Sequence, residues 1–183
     1  HKTLLLPLAA GLLLMRDERE LSTAFAQKAP YLFTAQDDAR AWDTGPRSFL
    51  CSRRADVLKV YVAFERYGAD ALAALYDRLC RVTRALHDRL AATAEFVPLH
   101  QPESNILCFA WTPSGMPASR MDDLTDLLRE RYNRSGRGFI TSTTLNGRRV
   151  LRVTVMNART NETHAEKLVE GLEAEGRAVL KHN

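Results

Sequence analysis

HKTLLLPLAAGLLLMRDERE, residues 1–20, carries a lysine at position 2, runs without charge from Thr3 to Met15, and turns abruptly polar at Arg16. A secretion signal needs a basic start, an apolar stretch and a small-residue cleavage site, and RDERE stands where that site would be. A membrane-spanning helix needs roughly 20 apolar residues, whereas this run is shorter and broken by Pro7 and Gly11. What remains is a pair of short buried strands kinked at Pro7, because a continuous apolar run between breakers is the pattern of a strand covered on both faces. The chain starts with His rather than Met, so the expectation is a piece of a longer polypeptide or one that has lost an upstream part.

Outward from that stretch, 183 residues suit one domain or one and a half, and 45% hydrophobic with 26% charged residues suits a soluble globular protein. The net charge of +4 is mild, the basic residues are scattered, and no aromatic-plus-arginine motif is present. Nucleic acid is therefore not an expected partner. Cys51, Cys80 and Cys108 stand far apart, odd in number and without metal-ligand spacing. They predict a reducing, cytoplasmic setting.

ERELSTAFA predicts a short helix, and from Gln27 to Leu50 periodicity gives way to Pro30, Asp37, Asp38, Asp43, Gly45 and Pro46. A loop of that length inside a compact domain is usually functional or disordered, and Tyr31, Phe33 and Trp42 are too many aromatics for a plain linker. An amphipathic helix is expected from Ala55 to Tyr67, with a second after Gly68 carrying Leu72, Leu75, Tyr76, Leu79, Val82, Leu86 and Leu90 at helical spacing. From Glu95 the pattern alternates. FVPL and NILCFAW read as strands, the latter apolar on both faces, and a helix follows with Met121, Leu124, Leu127, Leu128 and Tyr132 on one side. Asn146-Gly147 between two strands is a strong hairpin signal, and RRVLRVTV alternates as a half-buried strand does. A last helix, capped by Thr160 or Asn161, turns Ala165, Leu168, Val169, Leu172 and Val179 inward. These elements make a small α+β domain from about Glu95, a sheet with two helices on one face.

Phosphate-cradling GxxxxGK[ST], GxGxxG, GxSxG and HExxH signatures are all missing, and His1, His87, His100, His164 and His182 lack ligand spacing. Lone histidines of this kind are expected to be surface or structural residues. Three residues stand in unusual settings. Lys2 adjoins the apolar run, where desolvation would favour a nucleophilic amine, although a solvated lysine is the plainer alternative. Tyr31 lies in the loop, able to deliver a proton or merely packed on the surface. Arg152, mid-strand and opposite in face to Leu151, Val153 and Val155, can grip a carboxylate bidentately or lie along the outer side of a sheet.

Together these residues resemble the group II pyridoxal-phosphate-dependent amino acid decarboxylases, especially the branch of glutamate and cysteine sulfinate decarboxylases. His1-Lys2 is similar to the family's His-Lys pair, and APYLF, in ungapped register with it, puts Tyr31 on the catalytic-loop tyrosine. DTGPRSFLCSRRADVLKVY resembles the acidic branch in Asp43, Thr44, Gly45, Cys51, Arg53, Asp56 and Lys59, with Ser52 where that branch has Gly. VLRVTVMNART looks like the family's terminal strand, its Arg152 matching the arginine that binds the substrate carboxylate in glutamate decarboxylase.

The resemblance implies an α/β fold of the fold-type I pyridoxal-phosphate transferase kind. Residues 1–54 would end the cofactor-binding large domain with a mobile catalytic loop at 27–50, residues 55–94 would be connecting helices, and residues 95–183 the small C-terminal α+β domain. It implies that Lys2 holds pyridoxal 5'-phosphate as an internal aldimine with His1 near it, that Cys51 and Ser52 approach its phosphate from the neighbouring subunit, and that Tyr31 protonates the quinonoid left by decarboxylation. The loop would reach the active site of the partner in a homodimer. Tyr rather than Phe at position 31 favours simple decarboxylation over aldehyde formation. Arg152 and the Asp-Thr-Gly segment favour a short acidic amino acid such as glutamate, aspartate or cysteine sulfinate. 2,4-Diaminobutyrate and aromatic substrates stay open, as do an aminotransferase or phosphate-ester lyase of the same fold and, from another class, a non-catalytic α+β binding module. No metal and no membrane is expected.

Overall fold

Asn146 and Gly147 have positive φ, 51° and 75°, in the two-residue turn that joins β3 (Thr141–Leu145) to β4 (Arg148–Thr154). Such a turn matches the twist of its flanking strands and fixes their register, so Leu145 faces Arg148 and, counting outward, Thr141 faces Arg152. In this computed structural model, which describes residues 4–7, 10–17, 19–26, 47–50 and 52–181, β4 also pairs with β2 (Ile106–Trp111), and β2 with β1 (Phe96–Pro98). The result is an antiparallel sheet of order β1-β2-β4-β3. Pro98, with no amide hydrogen to give to a ladder, sits in an edge strand where that is tolerated.

Side chains alternate between the faces of a sheet, and Phe96, Leu107, Phe109, Trp111 and Leu151 share one face and are buried. They form one core with Leu124, Leu128 and Tyr132 of α3 (Met121–Arg134) and Ala165, Val169, Leu172 and Val179 of α4 (Glu162–Lys181). The amide of His164 donates to Asn161 Oδ1 at 3.2 Å, which makes Asn161 the cap that the sequence pattern placed there. A third helix joins the two that the pattern led us to expect. The later part of α2 (Val57–Ala91) adds Leu79, Val82, Leu86 and Leu90 to the same core. Gly68 interrupts α2 with φ 75° and ψ 161°, a conformation essentially reserved for glycine, at the position where two helices were expected to meet.

The opposite face of the sheet carries Val97, Ile106, Cys108, Ala110, Thr141 and Arg152, each half-buried or exposed, together with Val150, which is buried. β2 therefore has one buried face, rather than two as its apolar composition suggested. The chain divides into two compact units, one built on residues 6–63 and one on residues 64–183 together with residues 2–5, and the sheet with α3 and α4 belongs to the second.

The first unit contains α1 (Arg19–Ala24), the short helix expected from ERELSTAFA. Beyond it, Phe25 and Phe49 meet edge to face with ring centroids 4.9 Å apart. The apolar opening run differs from expectation: residues 4–7 and 10–15 form no strand, and Leu12, Leu13 and Leu14 are exposed. A strand covered on both faces needs neighbours for its backbone hydrogen bonds, and every strand among the described residues lies between Phe96 and Thr154 and pairs within the one sheet. No helix among the described residues is long and apolar enough to cross a membrane.

Candidate active site

Of the six residues singled out from the sequence, His1, Lys2, Tyr31 and Cys51 lie outside the described residues, as does most of the 27–50 loop. Ser52 and Arg152 are described, in different units. Ser52 is exposed and is followed by exposed Arg53 and Arg54 just ahead of α2. A hydroxyl beside two guanidinium groups is a donor set suited to a phosphate dianion, and a lysine amine is the group that captures an aldehyde. The residues present therefore fit pyridoxal phosphate in their chemistry.

Arg152 sits mid-strand in β4, half-buried, on the sheet face turned away from the helices. Two strands flank it: Cys108 of β2 pairs with it on one side and Thr141 of β3 on the other. Thr141 Oγ1 donates to the Arg152 carbonyl at 2.9 Å. Cys108 is held through its backbone. Its amide donates to His100 Nε2 at 3.0 Å, and its carbonyl accepts from the Leu99 amide at 3.0 Å. His100 Nδ1 lies 3.2 Å from the Gln101 carbonyl, so the tautomer with its proton on Nδ1 satisfies both contacts. His100 is thus a structural histidine, extending the β1–β2 ladder by a side chain. Burial pushes the Cys108 thiol above its ordinary range, and the nearby Arg152 cation offsets part of that shift. Cys108 consequently stays a neutral thiol near neutral pH.

Charge compensation separates Arg152 from its neighbours on the strand. Arg149 Nε lies 3.1 Å from Asp126 Oδ2 while its amide donates to Asp122 Oδ1 at 3.0 Å, and Arg148 Nε lies 3.8 Å from Asp122. Arg152 forms no ion pair and no side-chain hydrogen bond with any described residue. A guanidinium can hold a carboxylate through two parallel hydrogen bonds. The sequence pointed to Arg152 but not to Cys108, Thr141 or His100. Thr141 was within reach, since counting back from the Asn146-Gly147 turn lands on it.

Comparison with known proteins gives the class to which these features belong. A family model described as the pyridoxal-dependent decarboxylase conserved domain matches residues 1–112, and the chain belongs to that family. The match takes in Lys2, Tyr31, Cys51 and Ser52 and stops before Arg152. Longer alignments follow the individual relatives. The chain is 28% identical over 183 residues to L-aspartate decarboxylase of Metarhizium robertsii, covering 98% of this chain and 36% of that protein. It is also 28% identical over 186 residues to L-2,4-diaminobutyrate decarboxylase of Rhizobium meliloti, covering 100% of this chain and 37% of that protein. The solved structure of Oryza sativa TDC with PLP and tryptamine superposes with a TM-score of 0.78 at 21% identity, over 89% of this chain and 34% of that one. The fold is accordingly that of the fold-type I pyridoxal-phosphate decarboxylases, and the chain spans little more than a third of the length of these relatives.

Proposed function

We propose that the protein to which this chain belongs removes the α-carboxylate of a short acidic L-amino acid as carbon dioxide and releases the amine, with pyridoxal phosphate as cofactor. Glutamate, aspartate and cysteine sulfinate are the substrates in view. The observation that carries the choice is Arg152, a half-buried cation on the sheet face away from α3 and α4, with no carboxylate partner among the described residues. When bound, the cofactor supplies an electron sink for the pair left by the departing carboxylate.

The chain's own residues supply the rest. Lys2 holds the cofactor through its amine, with His1 near it, and the stretch around Cys51 and Ser52 approaches the phosphate from the neighbouring subunit. Arg152 grips the substrate's side-chain carboxylate and thereby orients the α-carbon. Tyr31 returns a proton there from its phenol, on a 27–50 loop that closes over the site of the partner subunit in a homodimer and excludes water. Residues 1–54 then end the cofactor domain, residues 55–94 connect, and residues 95–183 form the small domain. A cytoplasmic setting is supported by the free thiols of Cys80 and Cys108. Decarboxylation of 2,4-diaminobutyrate is the second reading. The Rhizobium meliloti relative supports it, while a cationic substrate side chain facing Arg152 counts against it.

The deciding experiment is borohydride reduction of the native protein, purified with any polypeptide that precedes His1 still attached, followed by peptide mass mapping. A phosphopyridoxyl group on Lys2 is expected. Its absence from the intact protein would remove Lys2 and the decarboxylase reading together and leave the non-catalytic binding module in their place.

A further inference from the structure

We propose that Cys108 and Thr141 determine which amino acids Arg152 accepts, by flanking its guanidinium with neutral side chains and so leaving its charge for the substrate. The inference rests on Arg152 binding the substrate's side-chain carboxylate. The sheet register places Cys108 directly across from Arg152 on β2 and Thr141 directly across on β3. Opposed side chains on one face of an antiparallel pair stand about 4.5–5.5 Å apart at Cβ, near enough for a carboxylate at either position to reach the guanidinium. Arg149, on the other face of the same strand, shows what a carboxylate within reach does, since Asp126 of α3 lies 3.1 Å from its Nε and takes up its charge.

Neither flank of Arg152 offers such a partner. Thr141 carries no charge, and burial keeps the Cys108 thiol protonated. The position of Cys108 is fixed rather than adjustable, because His100 and Leu99 hold its amide and its carbonyl. Both residues act through Arg152 and touch no reacting atom. They are positioning residues that set specificity.

The test uses the whole enzyme in four variants: Cys108→Asp, the equally shaped but neutral Cys108→Asn, Thr141→Asp and Arg152→Met. Each is assayed with L-aspartate, L-glutamate, L-cysteine sulfinate and L-2,4-diaminobutyrate, with cofactor content read from absorbance. Cys108→Asp is expected to raise KM for the preferred acidic substrate about tenfold, the factor that ~1.4 kcal/mol carries. Its kcat is expected to hold, as when binding common to ground and transition states is lost. Cys108→Asn should change KM far less. Thr141→Asp should move KM in the same direction by a smaller factor, because that position is exposed and solvent screens the pair. In both Asp variants the preference for acidic over diamino substrate falls.

Equal KM increases in Cys108→Asn and Cys108→Asp would overturn the inference by assigning the effect to bulk. Unchanged KM in both Asp variants, with Arg152→Met impaired, would overturn it as well. Arg152→Met with unchanged KM, or a parent enzyme that turns over no acidic amino acid, would instead overturn the substrate reading beneath it. Should Cys108→Asp fail to fold, Thr141→Asp at its exposed edge-strand position still decides the matter.

Discussion

Amine formation by a Lys2→Ala variant of the whole protein is expected to fall at least ~10³-fold, the scale of loss when the covalent group of an active site is removed. The physical reason is that no other residue type offers the same chemistry. The group must be an amine able to shed its proton, and arginine, permanently protonated, fails as a substitute. Carbon dioxide release measured with saturating pyridoxal phosphate reads the effect. Tyr31→Phe separates the two roles. It should keep the borohydride-trapped group on Lys2 and still lose amine formation, because a phenyl ring has no proton to deliver. Activity near the parent's in Lys2→Ala would sink the assignment, and full amine formation by Tyr31→Phe would point to another reaction of the same fold.

The largest loss of stability is expected at Phe109, where truncation to alanine should cost about 3–5 kcal/mol, as for large aromatic side chains removed from cores. Phe109 is fully buried, stacks edge to face on Phe96 with centroids 6.0 Å apart, and lies across from Leu151 at the centre of the sheet. Because it spans the β2–β4 seam, neighbouring strands cannot collapse into the space without moving the ladder. That amount is a large part of the roughly 5–15 kcal/mol that holds a domain folded. Urea denaturation followed by the fluorescence of buried Trp111, in a Trp42→Phe background, reports it. Phe139→Ala, at an exposed position, provides the contrast and should stay within about 0.5 kcal/mol of the parent. Similar losses for the two variants would mean that the core has been wrongly located.

Local signals carried most of the second unit. Asn146-Gly147 gave the hairpin, Gly68 the helix break, Asn161 the last cap, and the leucine spacings the buried sides of α2, α3 and α4. Each depends on residues within one or two turns of each other, which is the range over which spacing speaks. The apolar opening run misled for the opposite reason. Burial of Leu12 to Leu14 in a sheet requires strands contributed from elsewhere, and composition says nothing of whether they are at hand. The same limit hid Cys108. It meets Arg152 through pairing between strands separated by the whole of α3 and the β3–β4 hairpin, and no local count leads across that distance. Arg152 was legible because an arginine amid alternating apolar residues is conspicuous, whereas its lack of an ion pair among the described residues depends on tertiary placement that spacing does not report.

That long-range seam also sets an order of assembly. A hairpin closed by two residues forms in about 1–10 μs, while β2 must find β4 across all the intervening chain and waits on the closure of that loop. Thr141 therefore meets Arg152 early and Cys108 meets it late. Pulsed hydrogen exchange during refolding should show amides of β3 and β4 protected before those of β2, and simultaneous protection of all the strands would contradict this order. Until the seam closes, Ile106–Trp111 stands as an uncharged, unpaired strand, the sort of segment that seeds aggregation. The chain is thus most exposed to misassembly at the step that completes the surroundings of Arg152.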